Sequence, residues 1–253
     1  MKRILYPPLG IALTLALWHW ICIEFKLPTA ALPTPMQVLE AGIGRWDLLL
    51  SEGWVTMKET LYGFALAVAL GIPIAVAVSN SQTLNLMFSP ILIALQSVPK
   101  VALAPILLVW LGTGVESKLA IAWLVAFFPI IVDTSAGLQS TPRELLELAR
   151  SLRASRWQIF SKVQFPAALP FVVTGSKVAV TLAVIGAVIG EFVGSSEGLG
   201  FLLLSASSQI NTPLAFAALF ALAALGILAY LMVVAVEWLL TPWLPQSAER
   251  SNA

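Results

Sequence analysis

Residues 141–166 read TPRELLELARSLRASRWQIFSKVQFP, the longest basic stretch of the chain, and their reading decides the fold. Thr141, Pro142, Arg143 and Glu144 have the spacing of a capping box, with proline at the first helical position. Ser155, Arg156, Trp157 and Gln158 repeat that spacing, so a second helix starts there and the first ends near Arg153 and Ala154. Leu145, Leu148, Ala149 and Leu152 fall at i, i+3, i+4 and i+7, which gives the first helix one apolar face opposite its charges. That face needs a partner. Spacing alone leaves two open: the ends of the protein's own helices together with lipid headgroups, and a groove on a separate protein.

Away from this hairpin the chain is apolar. Of its 253 residues 59% are hydrophobic and 11% charged, with a mean hydropathy of +0.91, whereas a soluble domain is roughly a quarter charged. The lipid bilayer is therefore its solvent. A net charge of +1 gives no support to a nucleic-acid partner, which needs clustered, unbalanced positive charge. The single cysteine, Cys22, makes no intrachain disulfide and is read as a small hydrophobe. No metal-binding or cofactor-binding pattern is read.

Six apolar runs approach the ~20 residues that a helical span takes, at about 8–25, 61–78, 87–111, 119–138, 167–193 and 214–240. The expected fold is an all-α membrane protein of six transmembrane helices with the hairpin between the fourth and fifth. The first run ends in Trp18, His19 and Trp20 rather than in small residues, so residues 1–26 read as a retained signal anchor and not a cleaved leader. His19, the one histidine, reads as a packed or interfacial side chain. Residues 27–60 form the long outer loop, where Leu39, Ile43, Trp46, Leu49 and Leu50 recur at helical spacing and suggest an amphipathic surface helix. Residues 61–240 make a five-helix core that includes 141–166.

Basic residues orient the chain. Arg143, Arg150, Arg153, Arg156 and Lys162 lie on the side of the termini, with Lys2, Arg3 and Arg250, while the connection 194–213 has no lysine or arginine. The N-terminus and the hairpin are therefore expected in the cytoplasm. Trp110, Trp238 and Trp243 near run ends suit headgroup anchors and packed positions equally.

At the hairpin the chain resembles a known family. Glu147 and Ala149, with Val163, Phe165 and Pro166, are similar to the EAA loop of type I ABC importer permeases: Glu-Ala-Ala, three residues, Gly, nine residues, Ile, any residue, Leu-Pro. Two more stretches resemble the subfamily serving nitrate, sulfonate, taurine and thiamine-precursor uptake: 96–112, from Gln96 through Lys100 to Gly112, and 191–200, from Glu191 to Gly200. The family's glycine is Arg153 here, where a left-handed residue with a side chain costs roughly 1–2 kcal/mol. Either the turn is made differently or the guanidinium sits on the last carbonyls of the first helix.

The resemblance implies a bacterial inner-membrane permease subunit working with two ATP-binding cassette subunits, an external solute-binding protein and a second permease subunit, most simply a copy of itself. It implies that Glu147, Leu148, Ala149, Leu152, Arg153 and Pro166 couple the permease to the ATPase. No Gly-x-x-x-x-Gly-Lys-Ser/Thr occurs in the chain, and the nearest string, Gly112 to Lys118, lacks the second glycine. ATP is thus expected to bind elsewhere, and the chain is expected to be no enzyme in itself.

Charges inside the runs mark possible pathway positions, because they are expensive there. Lys100 follows Pro99, between Pro90 and Pro105, and either lines a pathway or snorkels within the bundle. Asp133 and Lys177 are expected to neutralise each other. Glu191 either faces the pore mouth or caps the outer turn. The string Gly194-Ser195-Ser196-Glu197-Gly198 matches a hydrolase nucleophile elbow with Ser196 as nucleophile, but an apolar helix rather than a strand precedes it. A secondary transporter or channel is the other alternative, and the repeated halves usual in secondary transporters are not seen.

Overall fold

Every element between residues 2 and 240, the residues that this computed structural model describes, is helical. In chain order these are α1 (Lys2–Glu24), α2 (Pro35–Gly44), α3 (Trp46–Asn80), α4 (Gln82–Ser97), α5 (Ala104–Leu111), α6 (Val115–Gln139), α7 (Arg143–Ser151), α8 (Arg156–Ile159), α9 (Phe165–Gly194), α10 (Leu199–Ser208) and α11 (Thr212–Leu240). A 3₁₀ turn, Lys100–Leu103, joins α4 to α5, and a π turn, Phe160–Gln164, joins α8 to α9. Trp243 and Arg250 lie outside the described residues.

Helix α6 is the centre of the bundle, packed between α3 and α9. In lipid there is little hydrophobic drive to bring helices together, so close backbone approach has to supply the attraction. Small residues permit it. A Cβ at Gly63 of α3 would fall 2.5 Å from the Ala122 Cβ, and one at Gly186 of α9 would fall 2.7 Å from the Ala122 Cα. Ile121, Ile130 and Ile131 of α6 are fully enclosed by these contacts.

Among the described residues four helices are long and apolar enough to cross a membrane: Trp46–Asn80, Val115–Gln139, Arg156–Gly194 and Thr212–Leu240. The third expected span is instead a pair, Thr83–Ser97 and Lys100–Leu111, bent by 86°. Proline explains the break. Val98 precedes Pro99 and is driven to extended backbone, φ −70° and ψ 128°. The first expected span lies within α1, Lys2–Glu24. It leans on the bundle through Trp18, whose ring centroid lies 5.9 and 6.0 Å from those of Phe216 and Phe220 of α11.

The long loop 27–60 is corrected. Its expected surface helix is two helices, divided at Arg45, which has φ −127° and ψ 29°. Only α2 stands apart, capped by Thr34, whose hydroxyl accepts from the Gln37 N–H while Gln37 accepts from the Thr34 N–H. Residues from Trp46 onward continue unbroken into α3 and bury Leu49, Thr56, Met57, Glu59 and Thr60 against the bundle.

Candidate functional site

At one end of the bundle the hairpin is built as two helices about a tight turn. The capping box expected at Thr141 is absent: Pro142 is the N-cap of α7, and the Thr141 hydroxyl points back to the Leu138 carbonyl at 3.2 Å, closing α6 instead of opening α7. The box at Ser155 is present, with the Gln158 N–H donating to Ser155 Oγ at 3.2 Å and the Ser155 N–H to Gln158 Oε1 at 2.7 Å. Arg153 occupies the left-handed region at φ 55°. Its N–H donates to the Arg150 carbonyl at 2.9 Å and the Ala154 N–H reaches the Ala149 carbonyl at 3.0 Å, the paired bonds of a Schellman motif. The turn is therefore made as a glycine would make it, and its backbone bonds satisfy the carbonyls at the end of α7.

The second helix of the hairpin is not a separate short helix. It runs through the π turn into α9, where Pro166 sits in the first turn. A proline has no N–H to return to the preceding turn, and the wider π turn lies immediately before it. The apolar face expected on α7 is uncovered: Leu145, Leu148 and Leu152 are 47%, 56% and 74% exposed. Trp157 on α8 and Glu147 on α7 are exposed as well.

At the opposite end lies a buried polar network that sequence reading caught only through Glu191. Glu191 is enclosed; its Oε2 accepts from the Gly200 N–H at 2.6 Å and its Oε1 from the Thr56 hydroxyl at 2.6 Å. Thr56 in turn accepts the Leu199 N–H at 2.9 Å, and the Glu52 carboxylate accepts the Gly198 N–H. Three residues on one face of α3, at 52, 56 and 59, carry this network, and the first two clasp the turn between α9 and α10. The third, Glu59, pairs with Lys118 of α6 at 2.9 Å. The i, i+4, i+7 spacing of Glu52, Thr56 and Glu59 was the available signal, hidden by placing them in an outer loop.

Between these ends, the expected Asp133–Lys177 pair is corrected. Lys177 Nζ bonds Glu237 Oε2 of α11 at 2.6 Å. Lys177 and Asp133 point to different neighbours, since Asp133 lines a cavity with Lys100. Lys100 donates to the Gln96 carbonyl at 3.0 Å and lies 4.9 Å from the centre of the Phe128 ring. The structure therefore brings Lys100 and Asp133 together and leaves Lys177 and Glu191 in separate places. Ser196 follows helix α9, and the turn around it is closed locally by Ser195, whose hydroxyl donates to the Glu197 carbonyl at 2.6 Å.

Residues 67–241, from α3 through the hairpin to the end of α11, match the model of the binding-protein-dependent transport system inner membrane component family. The chain belongs to that family. It is 36% identical over 250 residues to the formylaminopyrimidine transport permease of Halalkalibacterium halodurans, covering 96% of this chain and 98% of that one. It is 30% identical over 240 residues to the taurine transport system permease of Escherichia coli, covering 92% and 87% of the two chains. The fold is that of the inward-facing MetNI methionine ABC transporter, with a TM-score of 0.68 at 23% identity over 76% of this chain and 96% of that one. This ABC importer permease is thus a multi-pass membrane subunit for a small solute, working with ATPase subunits and a binding protein. ATP hydrolysis belongs to the separate subunits, and the hydrolase, channel and secondary-transporter alternatives are set aside.

Proposed function

We propose that the 141–166 hairpin is the coupling element of the importer and that the face of α7 docks in a groove of the ATPase subunit. The uncovered row Leu145, Leu148 and Leu152 carries this reading, because an apolar helix face held out on a capped, hydrogen-bonded turn has no partner within the described residues. Glu147, Leu148, Ala149, Leu152, Arg153 and Pro166 transmit the motion, the last by setting where the lever joins the span. Two copies of the chain form the pore with two ATPase subunits. The protein sits in the bacterial inner membrane with its N-terminus and hairpin in the cytoplasm, residues 1–26 anchoring it and 61–240 forming the core. Its solute belongs to the class that its relatives are named for, among pyrimidine precursors, taurine, sulfonates and nitrate.

The test is a cross-link. With Leu148→Cys and a cysteine lining the groove of the ATPase subunit, a bifunctional maleimide in membrane vesicles is expected to join the two subunits. Products containing only lipid or the permease itself overturn the docking reading.

A further inference from the structure

Resting on the importer reading, we propose that the cavity holding Lys100 and Asp133 is a solute site in the translocation pathway, and that it takes a net-neutral, dipolar solute. Such a solute presents an N–H donor to Asp133 and an anionic or carbonyl-type acceptor to Lys100.

The cavity measures about 390 Å³, within the size of small-molecule sites. Three elements wall it: the bend after α4, α6, and α9 through Val178 and Leu182. Two opposite charges look into it without forming an ion pair. Lys100 is held back by the Gln96 carbonyl and the Phe128 ring, which steady an ammonium without neutralising it. Asp133 is held against α9, where Gly175 leaves it room: a Cβ there would lie 2.8 Å from the Asp133 Cβ and 2.9 Å from Oδ2. Among the described residues no side chain forms an ion pair with either.

Two uncompensated charges at membrane depth are not stable facing lipid, so this wall faces water or the pathway. Pro129 adds polarity. It offers no N–H to the carbonyl of Val125 one turn earlier, and both residues line the cavity.

The pairing of signs selects the ligand. A simple anion attracted to Lys100 is repelled by Asp133, and a simple cation meets the reverse, both in a medium where charges are poorly screened. A molecule with a donor at one end and an acceptor at the other satisfies both at once. Amino-sulfonates and aminopyrimidines share this chemistry; nitrate and alkanesulfonates lack it.

The experiment is equilibrium dialysis of radiolabelled taurine, formylaminopyrimidine, ethanesulfonate and nitrate against the purified permease–ATPase complex without its binding protein. Saturable binding of taurine or formylaminopyrimidine is expected, and which of the two binds separates the amino-sulfonate source from the aminopyrimidine source. Asp133→Asn and Lys100→Gln should each weaken it roughly tenfold or more. Val178→Phe, which fills the cavity from a third helix and touches neither charge, should abolish it. The proposal is overturned by saturable binding of ethanesulfonate or nitrate in place of the dipolar probes, by dipolar binding indifferent to Asp133→Asn, or by no saturable binding of any probe. In each of these cases the response of ATPase activity to the binding protein is read alongside. A response that persists removes only the cavity assignment, whereas its absence in the unaltered complex removes the importer reading itself.

Discussion

Lys118 reaches from α6 to Glu59 of α3 and forms an ion pair of 2.9 Å in which both side chains are under 10% exposed. The second oxygen of Glu59 has no hydrogen-bond partner within the described residues, and Lys118 is the cation paired with that carboxylate. Removing one partner of a buried pair costs about 3–5 kcal/mol, because the other charge is left stranded. Lys118→Met should lower the melting temperature of the purified complex by roughly 10 °C. Lys118→Met with Glu59→Leu should recover at least half of the loss. A double variant no more stable than the single one would show that the pair is not what the lysine stabilises.

Glu191 and Gly198 are coupled through the turn that the carboxylate fills. Gly198 has φ 103° and ψ 160°, a region reserved for glycine, and a Cβ there would run into the Glu191 carboxylate. Gly198→Ala should therefore destabilise the clasp by about 1–3 kcal/mol, and thermolysin, which cuts at apolar residues, should cleave near α10 sooner than in the parent. Glu191→Gln keeps one acceptor oxygen and should be milder than Glu191→Ala, which leaves the Thr56 hydroxyl and the Gly200 N–H without their partner. Equal digestion rates for the two Glu191 variants would contradict the hydrogen-bonding role.

Lys177 answers to Glu237 and not to Asp133, which changes what a rescue experiment should find. Glu237→Ala should reduce solute uptake, and Lys177→Ala in addition should restore part of it by removing the stranded ammonium. The pair is partly exposed, so its contribution to stability is only about 1 kcal/mol. Asp133→Ala should gain nothing from Lys177→Ala. Uptake by membrane vesicles checks all four variants, and a rescue of Asp133→Ala would reinstate the pairing that the sequence suggested.

The hairpin and four of the six expected spans were legible because they rest on local signals: long apolar runs, a Ser-x-x-Gln box and an i, i+4 leucine face. What escaped was decided by tertiary contact. Thr34 and Thr141 each precede a proline and stand three residues before a glutamine or glutamate, yet only Thr34 forms the box. Thr141 lies close behind α6 and its hydroxyl is taken by the Leu138 carbonyl. Glu52 and Glu59 fall in the stretch 27–60 expected to be an outer loop, and Lys118 falls just before the fourth expected span, where spacing names no partner for them. In the fold each has a partner on another helix or turn, more than 50 residues away for the Glu59–Lys118 pair. Lys177 sits on a helix with potential partners on two sides, and helical spacing in one strand of sequence does not choose between α6 and α11.

Arg153 is the departure from the family pattern whose consequence is most directly testable. The residue is at φ 55° and its N–H and that of Ala154 close the Schellman bonds, so the position asks only for a left-handed backbone and an amide proton. Arg153→Gly meets both demands and removes the Cβ penalty, which should make the hairpin about 1 kcal/mol more stable. If the guanidinium takes no part in docking, ATPase stimulation by the binding protein should be unchanged. Arg153→Pro fixes φ near −65° and deletes the N–H, so the turn cannot form. The face of α7 would then lose its angle to the span, and stimulated ATPase activity should collapse while the isolated permease still folds and inserts. Loss of stimulation in Arg153→Gly with the hairpin intact would move the weight from the backbone to the side chain, making the arginine a contact to the ATPase.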